Sequence, residues 1–96
     1  MKVTLVKKIL TDGSPCKKCA DVMARLEASD QMKYIDEVVV ADERNENSKG
    51  MQLAAKYDVK RAPFFIVEQL GQELEIYTIY FKFVKEVIDK KGNNCV

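Results

Sequence analysis

The sequence predicts an α/β domain whose elements run β-α-β-α-β-β-α and build a four-stranded mixed sheet sandwiched between helices. Three observations lead there. Short apolar runs rich in β-branched residues recur at strand length. Segments with helical periodicity alternate with the first three of these runs. Gly13, Pro15, Pro63 and Gly71 fall at junctions between the segments, where turns are needed.

The first strand spans residues 2–10, where Val3, Leu5, Val6, Ile9 and Leu10 predict burial on parts of both faces. Thr11-Asp12-Gly13-Ser14-Pro15 has loop composition. Pro15 pushes Ser14 toward extended geometry and itself suits a helix start. From Cys16 to Ser29, the residues Cys19, Val22, Met23 and Leu26 follow the i, i+3, i+4, i+7 pattern of one helix face. Val38-Val39-Val40-Ala41 reads as a second strand closing at Asp42. Asn47 or Ser48 can then cap a helix carrying Met51, Leu53, Ala54, Ala55 and Tyr57, although Gly50 blurs where it begins.

Pro63 precedes Phe64-Phe65-Ile66-Val67, a third strand. The turn signal Leu70-Gly71-Gln72 separates it from the alternating segment Leu74–Thr78, a half-exposed fourth strand. Phe81, Val84, Val87 and Ile88 mark a last helix ending near Gly92. The strand–helix alternation predicts that the first three strands pair in parallel through right-handed crossovers, and the Gly71 turn predicts one antiparallel hairpin. Residues 1–96 form a single domain, with a core over about residues 3–91 and a frayed tail at Asn93–Val96.

Composition narrows the function. The 16 basic and 15 acidic residues nearly cancel, which gives no reason to expect nucleic acid or a membrane surface as a partner. No apolar run reaches the length of a membrane span. The start, residues 1–10, is too short and too interrupted by lysine for a signal peptide, so the expected location is cytoplasmic. Three cysteines are too few for a secreted disulfide scaffold. The absence of histidine removes Cys–His catalysis and every zinc site that uses imidazole.

Cys16-Lys17-Lys18-Cys19 then carries the chemistry. The spacing puts both sulfurs in the first turn of the first helix, where the positive end of the helix dipole favours a thiolate. Reversible thiol–disulfide exchange is the first hypothesis; half of a zinc site has the same spacing. Lys17 and Lys18 should lower the Cys16 pKa further, toward the range of about 3.5–7.5 found for activated cysteines. Cations are unfavourable at a helix N-terminus, so the two lysines are a local conflict with a functional flavour. Cys19 lies on the apolar helix face and should be the less exposed thiol of higher pKa. Stabilising the thiolate favours the dithiol and moves the couple toward the oxidising side.

Two motifs make the chain resemble the thioredoxin-like superfamily, in the size range of glutaredoxins. One is the Cys16–Cys19 pair at the first strand–helix junction. The other is Ala55-Lys56-Tyr57-Asp58-Val59-Lys60-Arg61-Ala62-Pro63-Phe64-Phe65-Ile66-Val67, similar to the thioredoxin stretch in which a helix ends and a cis-proline opens the third strand. The resemblance covers roughly residues 3–91. It implies a thioredoxin fold and a thiol–disulfide oxidoreductase or electron-transfer protein. Cys16 would attack a disulfide and Cys19 would resolve the mixed disulfide. Pro63 would face the pair, and Ala62 would offer its backbone to an extended substrate. A trans proline ending a loop is the plain alternative.

The departures are as informative. Pro15 stands where thioredoxins carry Trp, two lysines replace Gly-Pro, and Leu10 stands where many thioredoxins bury an aspartate. Gly13, Ser14 and the segment Thr78-Ile79-Tyr80-Phe81 do not match the stretches with which glutaredoxins grip glutathione. No cofactor is therefore expected beyond the redox-active Cys16–Cys19 disulfide. The expected partners are a protein or small-molecule disulfide and a reductase or other electron donor, with the protein acting as a monomer. Two further functions compete: a binding module that holds a partner segment between Cys16 and Pro63, and a zinc or iron–sulfur site shared by a dimer. Cys95 reads as an incidental tail thiol, and Tyr57, Phe64, Phe65 and Phe81 read as core. Arg61 reads as a surface charge able to guide an anionic partner.

Overall fold

The computed structural model describes residues 1–88; Cys95 and the expected helix end near Gly92 lie outside them. Strand β1 (Lys2–Ile9) leads through a loop to helix α1 (Lys17–Ala28). A single 3₁₀ turn at Met32–Tyr34 precedes strand β2 (Glu37–Asp42). Helix α2 (Lys49–Lys56), strands β3 (Phe64–Glu68) and β4 (Glu75–Tyr77), and helix α3 (Tyr80–Phe83) follow. The last helix widens into a π-helical turn at Val84–Ile88. The fold is α/β, and its mixed sheet has the strand order β2-β1-β3-β4. Among the described residues, no helix is long and apolar enough to cross a membrane.

Strand direction differs in part from expectation. β1 and β2 are parallel, with Leu5 beside Val38 and Ile9 beside Asp42. β3, however, is antiparallel to β1, with Val6 opposite Phe64 and Lys2 opposite Glu68. Strand–helix alternation is indifferent to direction; what decides it is the end of the sheet at which the connection re-enters. β2 leaves at Asp42 beside Ile9, and β3 enters at Phe64 beside Val6, both at the same end. The α2 connection therefore returns to the edge it left, where a parallel crossover would have ended at the opposite one. β3 and β4 form the expected antiparallel hairpin, turning through Gly71 at φ +77°.

The period-two alternation of the strands sends their side chains to two cores. Val3, Leu5, Phe65, Val67 and Tyr77 meet Leu26 of α1 and Phe83, Val87 and Ile88 from the last helix. Val6, Val39, Ala41, Phe64 and Ile66 meet the α2 side chains Met51, Leu53, Ala54 and Tyr57. Helices thus cover both faces, α1 and α3 on one and α2 on the other. β4 is half-exposed as expected: Glu75 is exposed, Tyr77 packs into the first core, and Leu74 and Ile76 pack partly buried on the second.

Phe81 is also a correction: it is 67% exposed, and Phe83 takes the buried place. The wider π-helical turn brings i and i+5 together, so Phe83, Val87 and Ile88 share one face. Phe83 stacks on Phe65 at 3.8 Å between ring centroids. Phe81 instead lies edge-on to Tyr80, with the Arg25 guanidinium over its ring.

Helix α2 shows why a glycine stands in its first turn. Ser48 occupies the N-cap, but its hydroxyl turns back to accept the Asp42 N–H at 3.0 Å, tying the helix to the end of β2. Gly50 is buried there, and a Cβ on it would meet the Ala41 nitrogen at 2.3 Å and the Val40 carbonyl carbon at 2.4 Å. Helix propensity alone favours alanine over glycine by about 1 kcal/mol. Overpacking against backbone costs about 1–3 kcal/mol or more, and here neither backbone can move aside cheaply. Gly50→Ala should therefore destabilise the protein by about 1–2 kcal/mol net in a denaturant titration. An unchanged or raised midpoint would show that α2 does not lie this close to β2.

Candidate functional site

Cys16 reaches its place through the loop that leaves β1. Leu10 C=O accepts the Gly13 N–H, and Leu10 N–H donates to Ser14 C=O, both at 2.9 Å. Gly13 adopts φ +87°, which a side chain would resist. The chain folds back until Pro15 lies opposite Ile9. Cys16 becomes the N-cap of α1, so Lys18 and Cys19 are the second and third helical residues.

Both cysteines are held by the backbone of one residue of β1, Lys8. The Cys16 N–H donates to Lys8 C=O at 3.1 Å, and the Lys8 N–H donates to Cys19 Sγ at 3.3 Å. Strand geometry explains why Lys8 is available. Val3 and Ile9 point their peptide groups toward β2, since they bond to Asp36 and Glu43. Lys8 falls between them in the alternation, so its peptide groups point to the β3 side. The β1–β3 ladder ends at Val6 opposite Phe64, and the first turn of α1 occupies the edge beyond it.

The two thiols are unequal. Cys16 is half-buried and Cys19 is 3% exposed. Burial works against a Cys16 thiolate, but the amide of Cys19, the Cys19 thiol, the amide of Lys18 and the Lys8 charge together outweigh it. The net result is a pKa below the ordinary thiol value. The Cys16 sulfur makes no completed capping hydrogen bond, so these amides act as oriented dipoles. Burial pushes the Cys19 thiol up to about 11, helped by the neighbouring Cys16 and opposed by the Lys8 amide and ammonium.

The Ala62–Pro63 peptide bond is cis. Pro63 is buried directly before β3, and Ala62 lines a cavity of about 240 Å³ together with Lys8, Lys60, Arg61 and Phe64. Lys8 therefore links the two sequence motifs, bonding both cysteines through its backbone and lining the Ala62 cavity. Among the described residues, the N–H and C=O of Ala62 have no hydrogen-bond partner. A second, larger cavity of about 420 Å³ opens beside Cys19, lined by Pro15, Ala20, Met23 and Ala24 among others.

Lys17 and Lys18 are exposed. Lys18 acts on Cys16 through its backbone N–H, while the side-chain charge bearing on the thiol comes from Lys8. Sequence reasoning missed Lys8. The alternation along β1 could have shown which way its peptide points, but not that α1 would take the place of β3 beside it. Among the described residues, no group of three or more His, Cys, Asp or Glu side chains is placed to hold a metal ion. No family model, no curated protein and no solved structure matches this chain.

This geometry sets the order of thiol reactivity. Only the thiolate is alkylated rapidly, so the Cys16 rate should level off at a pH below the ordinary thiol value. Cys19 should stay unmodified until the pH approaches about 11. Lys8→Met keeps the backbone donor but removes the charge that favours the Cys16 anion, so the Cys16 midpoint should move up. Iodoacetamide rates against pH, resolved by peptide mapping, check this. A Lys8→Met profile unchanged from the parent would remove Lys8 from the site's electrostatics.

Proposed function

We propose that the chain is a thiol–disulfide oxidoreductase or electron-transfer protein of the thioredoxin-like kind. The observation that carries this reading is the inequality of two thiols three positions apart. One is accessible and acidified at a helix start; the other is buried, with its pKa pushed up to about 11. A nucleophile must be a thiolate at working pH, whereas a resolving thiol must stay protonated until a mixed disulfide stands beside it. The pair has those two properties in that order.

The thioredoxin-like assignment has its own support. The dithiol stands at the first strand–helix junction, the sheet is mixed and four-stranded, and Pro63 directly precedes β3. These are the features in which the sequence resembles that superfamily. In this reading Cys16 attacks, Cys19 resolves, and the unpartnered backbone of Ala62 receives an extended substrate. A reducing compartment such as the cytoplasm is the setting in which a C-x-x-C pair works as an exchanger rather than as a staple. A pure binding module would have no use for a resolving thiol. A metal centre would need ligands from a second copy.

The test is direct. Reduced protein should consume a neutral test disulfide, Cys16→Ser should abolish that activity, and Cys95→Ser should retain it. Cys19→Ser should accumulate a mixed disulfide on Cys16, visible by mass spectrometry. Full activity in Cys16→Ser would overturn the reading.

A further inference from the structure

Cations from three separate parts of the chain lie next to the cysteines in sequence or share a cavity with Lys8. Lys8 comes from β1, Lys17 and Lys18 from the start of α1, and Lys60 and Arg61 from the connector before Pro63. Lys8, Lys60, Arg61 and Ala62 line one cavity of about 240 Å³. Lys8 connects that cavity to the dithiol, since its charge bears on Cys16 and its C=O and N–H bond the two cysteines. Acidic groups are also present: exposed Asp21 follows Lys17 and Lys18 by one turn and exposed Asp58 precedes Lys60 by two residues, while the others nearby are engaged. Glu43, also in the cavity lining, pairs with Lys8 at 3.5 Å, and Asp42 pairs with Arg44 at 2.9 Å. Asp12 accepts the Ser14 N–H.

Among the described residues, the side chains of Lys17, Lys18, Lys60 and Arg61 have neither an ion pair nor a hydrogen bond. The chain as a whole is near neutral, at +1, so this concentration is local and not a reflection of net charge. Two of these cations sit at the helix end where the dipole disfavours them, and an incoming anion would relieve that conflict. Beside them, the unpartnered peptide groups of Ala62 offer strand-type hydrogen bonds to an extended segment.

We infer that the preferred substrate is a disulfide in an acidic peptide segment, with Asp or Glu flanking its cysteine. This rests on the exchange reading above and names its substrate class. The segment lies along Lys60-Arg61-Ala62, with its carboxylates facing Lys60 and Arg61 on one side and Lys17 and Lys18 on the other. Cys16 thiolate then attacks the nearer substrate sulfur, a Cys16–substrate disulfide forms, and the second substrate sulfur leaves as thiolate. The Cys19 thiol gives up its proton to that thiolate or to water and attacks Cys16 Sγ. A Cys16–Cys19 disulfide forms and the substrate departs as a dithiol. Two electrons pass from the protein to the peptide, so one turnover of pre-reduced protein needs no further reductant.

The experiment compares single-turnover reduction of two peptide disulfides that differ only in Glu or Gln beside each cysteine. At low salt the acidic peptide should react about tenfold faster, the scale of a few exposed ion pairs combined with electrostatic steering. The ratio should fall toward unity in about 1 M salt, where screening acts within about 3 Å. It should fall likewise in the double variant Lys60→Gln/Arg61→Gln. The double variant Lys2→Gln/Lys33→Gln removes the same charge at the opposite end of β1 and should leave the ratio unchanged. Equal rates for both peptides, or the same loss in both double variants, would overturn the acidic preference while leaving dithiol exchange intact. Failure to reduce either peptide, with no mixed disulfide in Cys19→Ser, would take both proposals down.

Discussion

The backbone N–H and C=O of Lys8 are the constraint on which the site depends. β1 extends past the point where β3 begins, so one N–H and one C=O are left facing an open edge. Buried or half-buried backbone groups need partners, and a proline at that level has no N–H to give. The first turn of α1 supplies both partners, the Cys16 N–H for the carbonyl and the Cys19 sulfur for the amide. The placement of the two thiols and the satisfaction of a strand end are therefore one arrangement. Were the ladder to continue for one more bonded pair, Ala62 would lie against Lys8 and the helix start could not.

This arrangement also accounts for the inequality of the thiols. Cys19 is drawn against the strand, where loss of water raises the cost of its charge. Cys16, one turn earlier, stays half-open and keeps the amides of Lys18 and Cys19 aimed at its sulfur. Two chemically identical side chains three positions apart thus acquire opposite shifts from position alone. The asymmetry is a property of how α1 is docked, and the residues between the cysteines contribute to it through their backbone.

How much of this was legible in the sequence follows from which signals are local. The α1 boundaries, the Cys16 position at its start and the Ala62–Pro63 turn were readable because caps, periodicity and proline act over a few residues. The direction of β3 was not, because the strand–helix alternation before Phe64 is compatible with either pairing. Phe81 was misplaced because a 3.6-residue period was assumed through Val84–Ile88, where the turn widens to bring Phe83 and Ile88 to one face. Gly50 looked like a weakness in α2 until the backbone of Val40 and Ala41 was seen to lie within a Cβ of it. In each case the missing information was a tertiary neighbour.

The same distinction decides which lysine matters for the thiolate. Lys17 and Lys18 are nearest in sequence, but they are exposed, and water reduces the interaction of two charges about 4 Å apart to about 1 kcal/mol. The Lys8 side chain is only 27% exposed, so less water screens its charge from the thiol. Glu43 at 3.5 Å offsets part of that, so Lys8 acts as a moderated cation rather than a bare one. The side-chain charge that bears on the thiolate is therefore that of a strand residue eight positions before Cys16, a smaller contribution added to those of the Cys19 amide, the Cys19 thiol and the Lys18 amide, and the two lysines between the cysteines are left exposed. Sequence proximity to a reactive group is a poor guide to electrostatic influence when the nearer charges are solvated and the farther one is enclosed.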